Sequence, residues 1–203
     1  MPAVRPFGAK TGLECHSLRV PIAPFASHST AIEGLFRVDM KQIEDERGIV
    51  REFYRQSDFK NAGLPAPERW LQVNVTATKL GAIRGLHGEA MMKFVSVVAG
   101  TAFGVYLDAR PGSVTFGHVE TVELRLGVGV VVAPGICNGF QATGEGITQY
   151  AYCFDKEWEP VMDGVAVNPF DPALGINWPI EIDRSDRSLL SEKDASLPFL
   201  AEL

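Results

Sequence analysis

Residues Leu71–Val98 read LQVNVTATKLGAIRGLHGEAMMKFVSVV. The stretch is rich in Val and Thr, is broken by Gly81, Gly85 and Gly88, and carries no sustained 3.6-residue apolar period. That is the pattern of short β-strands rather than of helices. It also holds His87 in a dense apolar and glycine context, with Arg84 three residues before it and Lys93 six after it. Gln72 and Asn74 are two apart, so they share one face of a strand. Two cations, a titratable base and two amides in one β-rich segment describe the wall of a pocket better than a core. Arg84 and His87, three apart, cannot share a face of a regular strand. Either a turn begins near Leu86 or a bulge intervenes.

Outward from this stretch the β pattern continues. The sequence predicts strands over 69–77, 81–86, 93–99, 101–108, 118–126, 130–133, 139–142 and 148–154, parted by Gly, Pro or polar turns. Many short strands at this spacing indicate an all-β sandwich, jelly roll or barrel with short peripheral helices. On the N-terminal side, 31–40 is a first strand, 42–48 is polar and turn-rich, and 49–55 alternates as a strand. Ser57 is placed to cap a short helix over 58–62. Residues 1–30 lack periodicity and are expected to form an arm, leaving one domain over 31–203 with a Pro-rich tail from Glu159. Ser191–Glu192–Lys193–Asp194 fits a capping box opening a last helix.

The totals narrow the function. The 203 residues are 46% hydrophobic and 22% charged, enough for one domain with a full core. A net charge of −6 argues against general nucleic-acid binding. No run of about 18 apolar residues indicates a membrane span, and no signal peptide is evident. The three cysteines, Cys15, Cys137 and Cys153, form no metal spacing, so a reduced, cytoplasmic compartment is expected.

Taken alone, His87 reads first as a packed or surface histidine. It could equally be a general base at working pH. Metal-binding cupins, a jelly-roll family, pair a His-x-His with a following Glu and a later His. Here His87–Gly88–Glu89 has no second histidine and the later position is Asn138, so no metal is expected. Lys93 and Arg84 suit an anion or a polarised carbonyl. Tyr150 and Tyr152, two apart on a strand, read as core. No GxGxxG, GxxxxGK or GxSxG is present.

The motifs in order are Asp45–Glu46–Arg47–Gly48, Glu52–Phe53, Gln72 and Asn74, Arg84–Gly85–Leu86–His87, Lys93, and Phe103–Gly104 followed by Asp108 and Arg110. Thr115–Phe116–Gly117, Pro134–Gly135, Asn138–Gly139–Phe140, Asp171–Pro172 through Trp178–Pro179, and Leu190–Ser191 with Lys193–Asp194 complete the series. Over roughly 31–200 the chain resembles the dTDP-4-dehydrorhamnose 3,5-epimerases, cupin-fold enzymes of deoxysugar synthesis that use no cofactor. The opening Thr30–Leu35 and the short loop after His87 look most like an actinobacterial branch.

The resemblance implies roles. His87 matches the proton-abstracting base, Asp194 its carboxylate partner, Tyr152 the proton donor and Lys93 a lysine near the sugar ketone. Arg47, Glu52, Gln72, Asn74, Arg84, Asn138, Trp158, Asp163 and Lys193 match substrate contacts, and a homodimer is implied. The implied substrate is a dTDP-linked 4-keto-6-deoxyhexose inverted at C3 and C5. The alternatives are a single-centre epimerase and a non-catalytic cupin that binds a sugar nucleotide. The chain departs from the family at Gly88–Glu89, where His-Tyr-Gln is common, at Asn138 for a histidine, at Val50 for an aromatic, and at Trp158 for a tyrosine.

Overall fold

The computed structural model describes residues 22–203. In chain order its strands are β1 (Ile22–Ala23), β2 (Ala26–Ser29), β3 (Leu35–Asp39), β4 (Gln42–Asp45), β5 (Gly48–Arg51), β6 (Gln72–Lys79), β7 (Ile83–Glu89), β8 (Lys93–Ala99), β9 (Ala102–Asp108), β10 (Val119–Leu124), β11 (Val128–Val132), β12 (Ile136–Ala142), β13 (Ile147–Phe154) and β14 (Gly164–Ala166). Two short helices, α1 (Gln56–Asn61) and α2 (Glu192–Ala195), lie at the periphery.

The strands form a six-stranded sheet, β2-β3-β11-β8-β13-β6, and a five-stranded sheet, β10-β9-β12-β7-β14, all pairings antiparallel. A third small sheet, β1-β4-β5, stands apart from both. Period-two alternation sorts each strand's residues between layers. Val95, Val97, Val130, Val132, Tyr106, Ile136, Phe140 and Tyr150 fill the space between the two large sheets. Phe140 and Tyr150 stack across that space, with centroids 4.0 Å apart and rings 2° from parallel. The outer face of the six-stranded sheet is covered by Phe59 of α1 and by Phe53, Tyr54 and Trp70. The outer face of the five-stranded sheet is covered by the tail, through Val167, Leu174 and Trp178.

The Phe103-to-Gly117 motifs belong to a corner that closes one end of this sandwich. Asp108, fully buried at the end of β9, accepts Arg110 Nε and Nη2 at 2.8 Å and the Ser113 and Thr115 hydroxyls at 2.6 Å. Burial would push its carboxyl up, but these donors outweigh burial and hold it well below the usual carboxylate range.

The jelly-roll sandwich matches the expected class. Its boundaries show where local pattern fell short. Only 35–39 of 31–40 is strand, and the polar segment 42–48 holds β4, because the Asp45–Gly48 turn lets the chain pair back on itself. The strand expected over 49–55 ends at Arg51, where the chain leaves the small sheet. α1 starts after Arg55 without a side-chain cap, so Ser57 is not its cap. Residues 1–21 of the expected arm lie outside the described residues, and the remainder includes β1 and β2. β14 was not foreseen.

Candidate active site

The pocket is built on an irregularity in β7. Opposite β12, His87 faces Asn138 and Arg84 faces Phe140, so Gly85 and Leu86 together stand against Gly139 alone. One extra residue on β7 is a bulge, and it turns Arg84 and His87 to the same side. Both line one cavity with Glu89, Lys93, Asn138, Phe140, Tyr152 and Phe154. Only glycine fits at 85. Its φ is +118°, and a Cβ there would meet Gly139 Cα at 2.6 Å. The Gly85–Leu86 peptide is cis.

His87 Nε2 lies 2.8 Å from Asp194 Oδ1, across 107 residues of chain. Its other ring nitrogen has no protein partner among the described residues. Asp194 belongs to α2, where the Ser191 hydroxyl accepts its N–H at 3.0 Å. Half of the anticipated capping box therefore forms. The aspartate carboxylate turns instead to the histidine and to the Gly85 N–H, which donates at 3.4 Å. Burial raises the Asp194 carboxyl, but these bonds prevail and hold it below its ordinary value. An ionised carboxylate on one imidazole nitrogen fixes the ring's orientation and leaves the other nitrogen for proton transfer.

The facing wall comes from the six-stranded sheet. Tyr152 and Tyr150 both point inward from β13, but with different fates. Tyr150 is fully buried against Phe140, whereas Tyr152 reaches the cavity and shares a hydrogen bond of 3.2 Å with Thr76 Oγ1. Burial pushes the Tyr152 phenol above its ordinary value, so it stays protonated at neutral pH. Lys93, first residue of β8, crosses the gap between the sheets. Its Nζ donates to the His87 carbonyl at 3.1 Å, to Asn138 Oδ1 at 2.6 Å and to the Glu89 carboxylate. A base backed by a carboxylate, a cation and a phenol from the opposite sheet can remove and return a proton beside a polarised carbonyl.

The family model for dTDP-4-dehydrorhamnose 3,5-epimerase matches residues 29–202. The chain belongs to that family. It is 33% identical over 183 residues to a dTDP-4-dehydro-6-deoxyglucose 3-epimerase of Streptomyces bikiniensis, covering 86% of this chain and 88% of the relative. It is 32% identical to the dTDP-4-dehydrorhamnose 3,5-epimerase of Mycobacterium tuberculosis, covering 78% and 79%. Among solved structures it is similar to NovW, a 4-keto-6-deoxy sugar epimerase of Streptomyces spheroides, with a TM-score of 0.80, 29% identity and 92% of each chain covered.

Within this epimerase fold the expected site residues separate into two groups. His87, Lys93, Tyr152, Arg84 and Asn138 line the cavity, and Asp194 touches it through His87. Gln72 and Asn74 share a face as expected, bonded to each other at 3.2 Å. The Trp158 N–H donates to Gln72 Oε1 at 2.7 Å, which sets that loop beside them. Within one chain the others stand elsewhere. Arg47 lies at the tip of the β4–β5 hairpin, 89% exposed and paired with Asp45. Arg55 draws the Glu52 carboxyl down to about 2, and Lys41 also holds it. Asp163 borders a separate apolar cavity of about 580 Å3, on the other side of β7. Lys193 is exposed on α2 and lines none of the cavities described here.

Sequence reasoning missed Thr76 and Thr78, which hold Tyr152 and Arg84 respectively. The signal was present, since the polar alternation begun by Gln72 and Asn74 continues through them. It also missed Lys79 and Arg187, which with Arg84 line a cleft of about 330 Å3 that reaches Asp194. Glu89 was read only as half of an inadequate metal site. Among the described residues, no group of three or more His, Cys, Asp or Glu is placed to hold a metal ion.

Proposed function

We propose that the protein inverts C3 and C5 of a dTDP-4-keto-6-deoxyhexose. The observation that carries this reading is His87 on one sheet, backed by Asp194 of α2, facing Tyr152 on the other sheet, with Lys93 between them. The C4 ketone acidifies the hydrogens on both neighbouring carbons. The unpartnered imidazole nitrogen of His87 takes one of these protons, and the C–H electron pair moves into the ring to leave an enolate at O4. Lys93 stabilises that charge. The Tyr152 hydroxyl returns a proton to the other face of the same carbon, inverting it. Solvent then reprotonates the phenolate and receives the proton held by His87.

Arg84, with Lys79 and Arg187 in the adjoining cleft, suits the diphosphate. Gln72, Asn74, Asn138 and Trp158 suit sugar and nucleoside contacts. A single-centre reaction is the second reading, because the relative at 33% identity is named a 3-epimerase. Incubation with dTDP-4-keto-6-deoxyglucose in D2O separates the readings. Deuterium at both C3 and C5 is expected. Label at one carbon selects the single-centre enzyme, and no label at all removes catalysis altogether.

The proposal includes a homodimer. The outer row of β6, Leu71, Val73 and Val75, is between 48% and 58% exposed where the cover over the neighbouring strands ends. Ile49 and Val50 on the small sheet are also exposed. A second copy would bury the apolar row along β6, and its hairpin would bring Arg47 and Glu52 to a pocket they do not reach in one chain. Sedimentation should show a dimer. Val75→Asp should shift it towards monomer and lower activity with it, whereas a monomeric parent protein would refute the pairing. Cytoplasmic residence is in keeping with buried, unpaired Cys137 and Cys153, whose thiols burial pushes up to about 12 and about 11. Among the described residues, no helix is long and apolar enough to cross a membrane.

A further inference from the structure

The Lys93 ammonium is fully occupied in the empty pocket. A lysine carries three N–H donors, and three acceptors surround this one: the His87 carbonyl, Asn138 Oδ1 and the Glu89 carboxylate. Lys93 is only 3% exposed, so water supplies little in their place. The cavity they close is about 70 Å3. A sugar ring is larger than that. One of these ligands must therefore leave Lys93 before a substrate oxygen can reach it.

The three ligands differ in how firmly they are held. The His87 carbonyl is main chain within β7, flanked by β12 and β14. Asn138 is buried in β12 between β9 and β7. Glu89 is the last residue of β7, its side chain is 21% exposed, and among the described residues its carboxylate has no side-chain partner besides Lys93. It stands two residues from His87, so both side chains leave the same face of the strand and enter the same cavity. Burial works against the ionised form of Glu89, but the Lys93 charge prevails and holds its carboxyl below the ordinary value.

We infer that Glu89 is a positioning residue for Lys93 and is the ligand that the ketone oxygen of the substrate displaces. In the empty pocket it orients and neutralises the ammonium. On binding, the carbonyl oxygen takes its place and the carboxylate swings towards the open side. The exchange favours sugars that carry an oxygen acceptor at that position, because a ligand without one leaves the Glu89–Lys93 pair intact. Glu89 thereby sets how tightly the pocket takes a sugar oxygen beside Lys93.

The inference rests on the epimerase reading, and the experiment keeps the two apart. Unmodified protein must first turn over dTDP-4-keto-6-deoxyglucose; if it does not, the epimerase reading fails by itself. In Glu89→Gln the competing acceptor is a neutral amide. A charge-assisted bond is about twice as strong as a neutral one, so KM for the ketosugar should fall about fivefold. The inhibition constant of dTDP, which has no oxygen acceptor at the sugar site, should not change. Glu89→Ala, which removes the carboxylate altogether, should move KM in the same direction and serves if the first variant does not fold. A raised KM would mean that Glu89 binds substrate directly and would overturn the displacement. Parallel changes for dTDP and ketosugar, or no change at all, would overturn it as well.

Discussion

His87→Ala should lose about 10²–10⁴-fold in turnover and should abolish deuterium exchange at C3 and C5 alike. The reason is geometric. His87 is the one imidazole in the cavity, and its free nitrogen is held outward because Asp194 engages the other at 2.8 Å. Tyr152 stays protonated and Lys93 is enclosed by acceptors, so neither replaces a neutral base. The variant should still bind dTDP, since Lys79 and Arg187 line a cleft outside the sugar cavity and Arg84 spans the two. The truncation leaves Asp194 Oδ1 buried without the His87 bond, while the Gly85 N–H and the Ser191 side chain remain beside the carboxylate. A stability loss of about 1–3 kcal/mol is expected from that orphaned acceptor. Mass-spectrometric exchange assays with dTDP binding as the folding control make the comparison. Exchange at the parent rate would remove His87 from the base role.

Tyr152→Phe should separate exchange from inversion. The base remains, so a proton still leaves the carbon beside the ketone, and His87 can return a deuteron to the face it came from. The donor on the opposite face is gone. Formation of the inverted product should therefore fall about 10²–10⁴-fold, while wash-in of label into unchanged substrate continues. Phenylalanine preserves the ring that packs against Tyr150 and Phe154, and the lost hydrogen bond is the 3.2 Å contact to Thr76. Stability should change little. NMR of the sugar after incubation in D2O reads both outcomes at once. Inversion at the parent rate, or exchange lost in step with inversion, would contradict the assignment of the donor.

Both experiments rest on the separation of roles between two sheets. The five-stranded sheet supplies His87, Glu89, Asn138 and Arg84, and the six-stranded sheet supplies Lys93, Tyr152 and the polar row of β6. A sugar lying between them meets a base on one side and a phenol on the other. A single sheet cannot provide this, because all side chains on one face approach a ligand from the same direction. The sandwich also keeps the reacting groups dry enough for the charge on Lys93 to act at full strength.

Much of this was legible in the chain alone. Alternation is a local property, so the strands from β6 to β13 could be read within a few residues of their ends, and β8 was read to the residue. Residue chemistry is local too. A histidine among glycines and a lysine at a strand start marked the pocket, whereas the tyrosine pair read as core. The order of motifs pointed to the family. What sequence distance hides is pairing. The bulge that turns Arg84 and His87 together exists only against β12. Asp194 meets His87 because α2 packs at the end of β7. Tyr150 and Tyr152 are equivalent by sequence, and only their neighbours make one a core ring and the other a pocket phenol. Glu89 becomes a ligand of Lys93, only four residues on, because residues 90–92 carry the chain from one sheet to the other and set the start of β8 against the end of β7. The sequence by itself determined a β-rich chain and the kinds of groups available. The tertiary structure decided which of those groups meet, because strand pairing and packing between sheets depend on residues far apart along the chain.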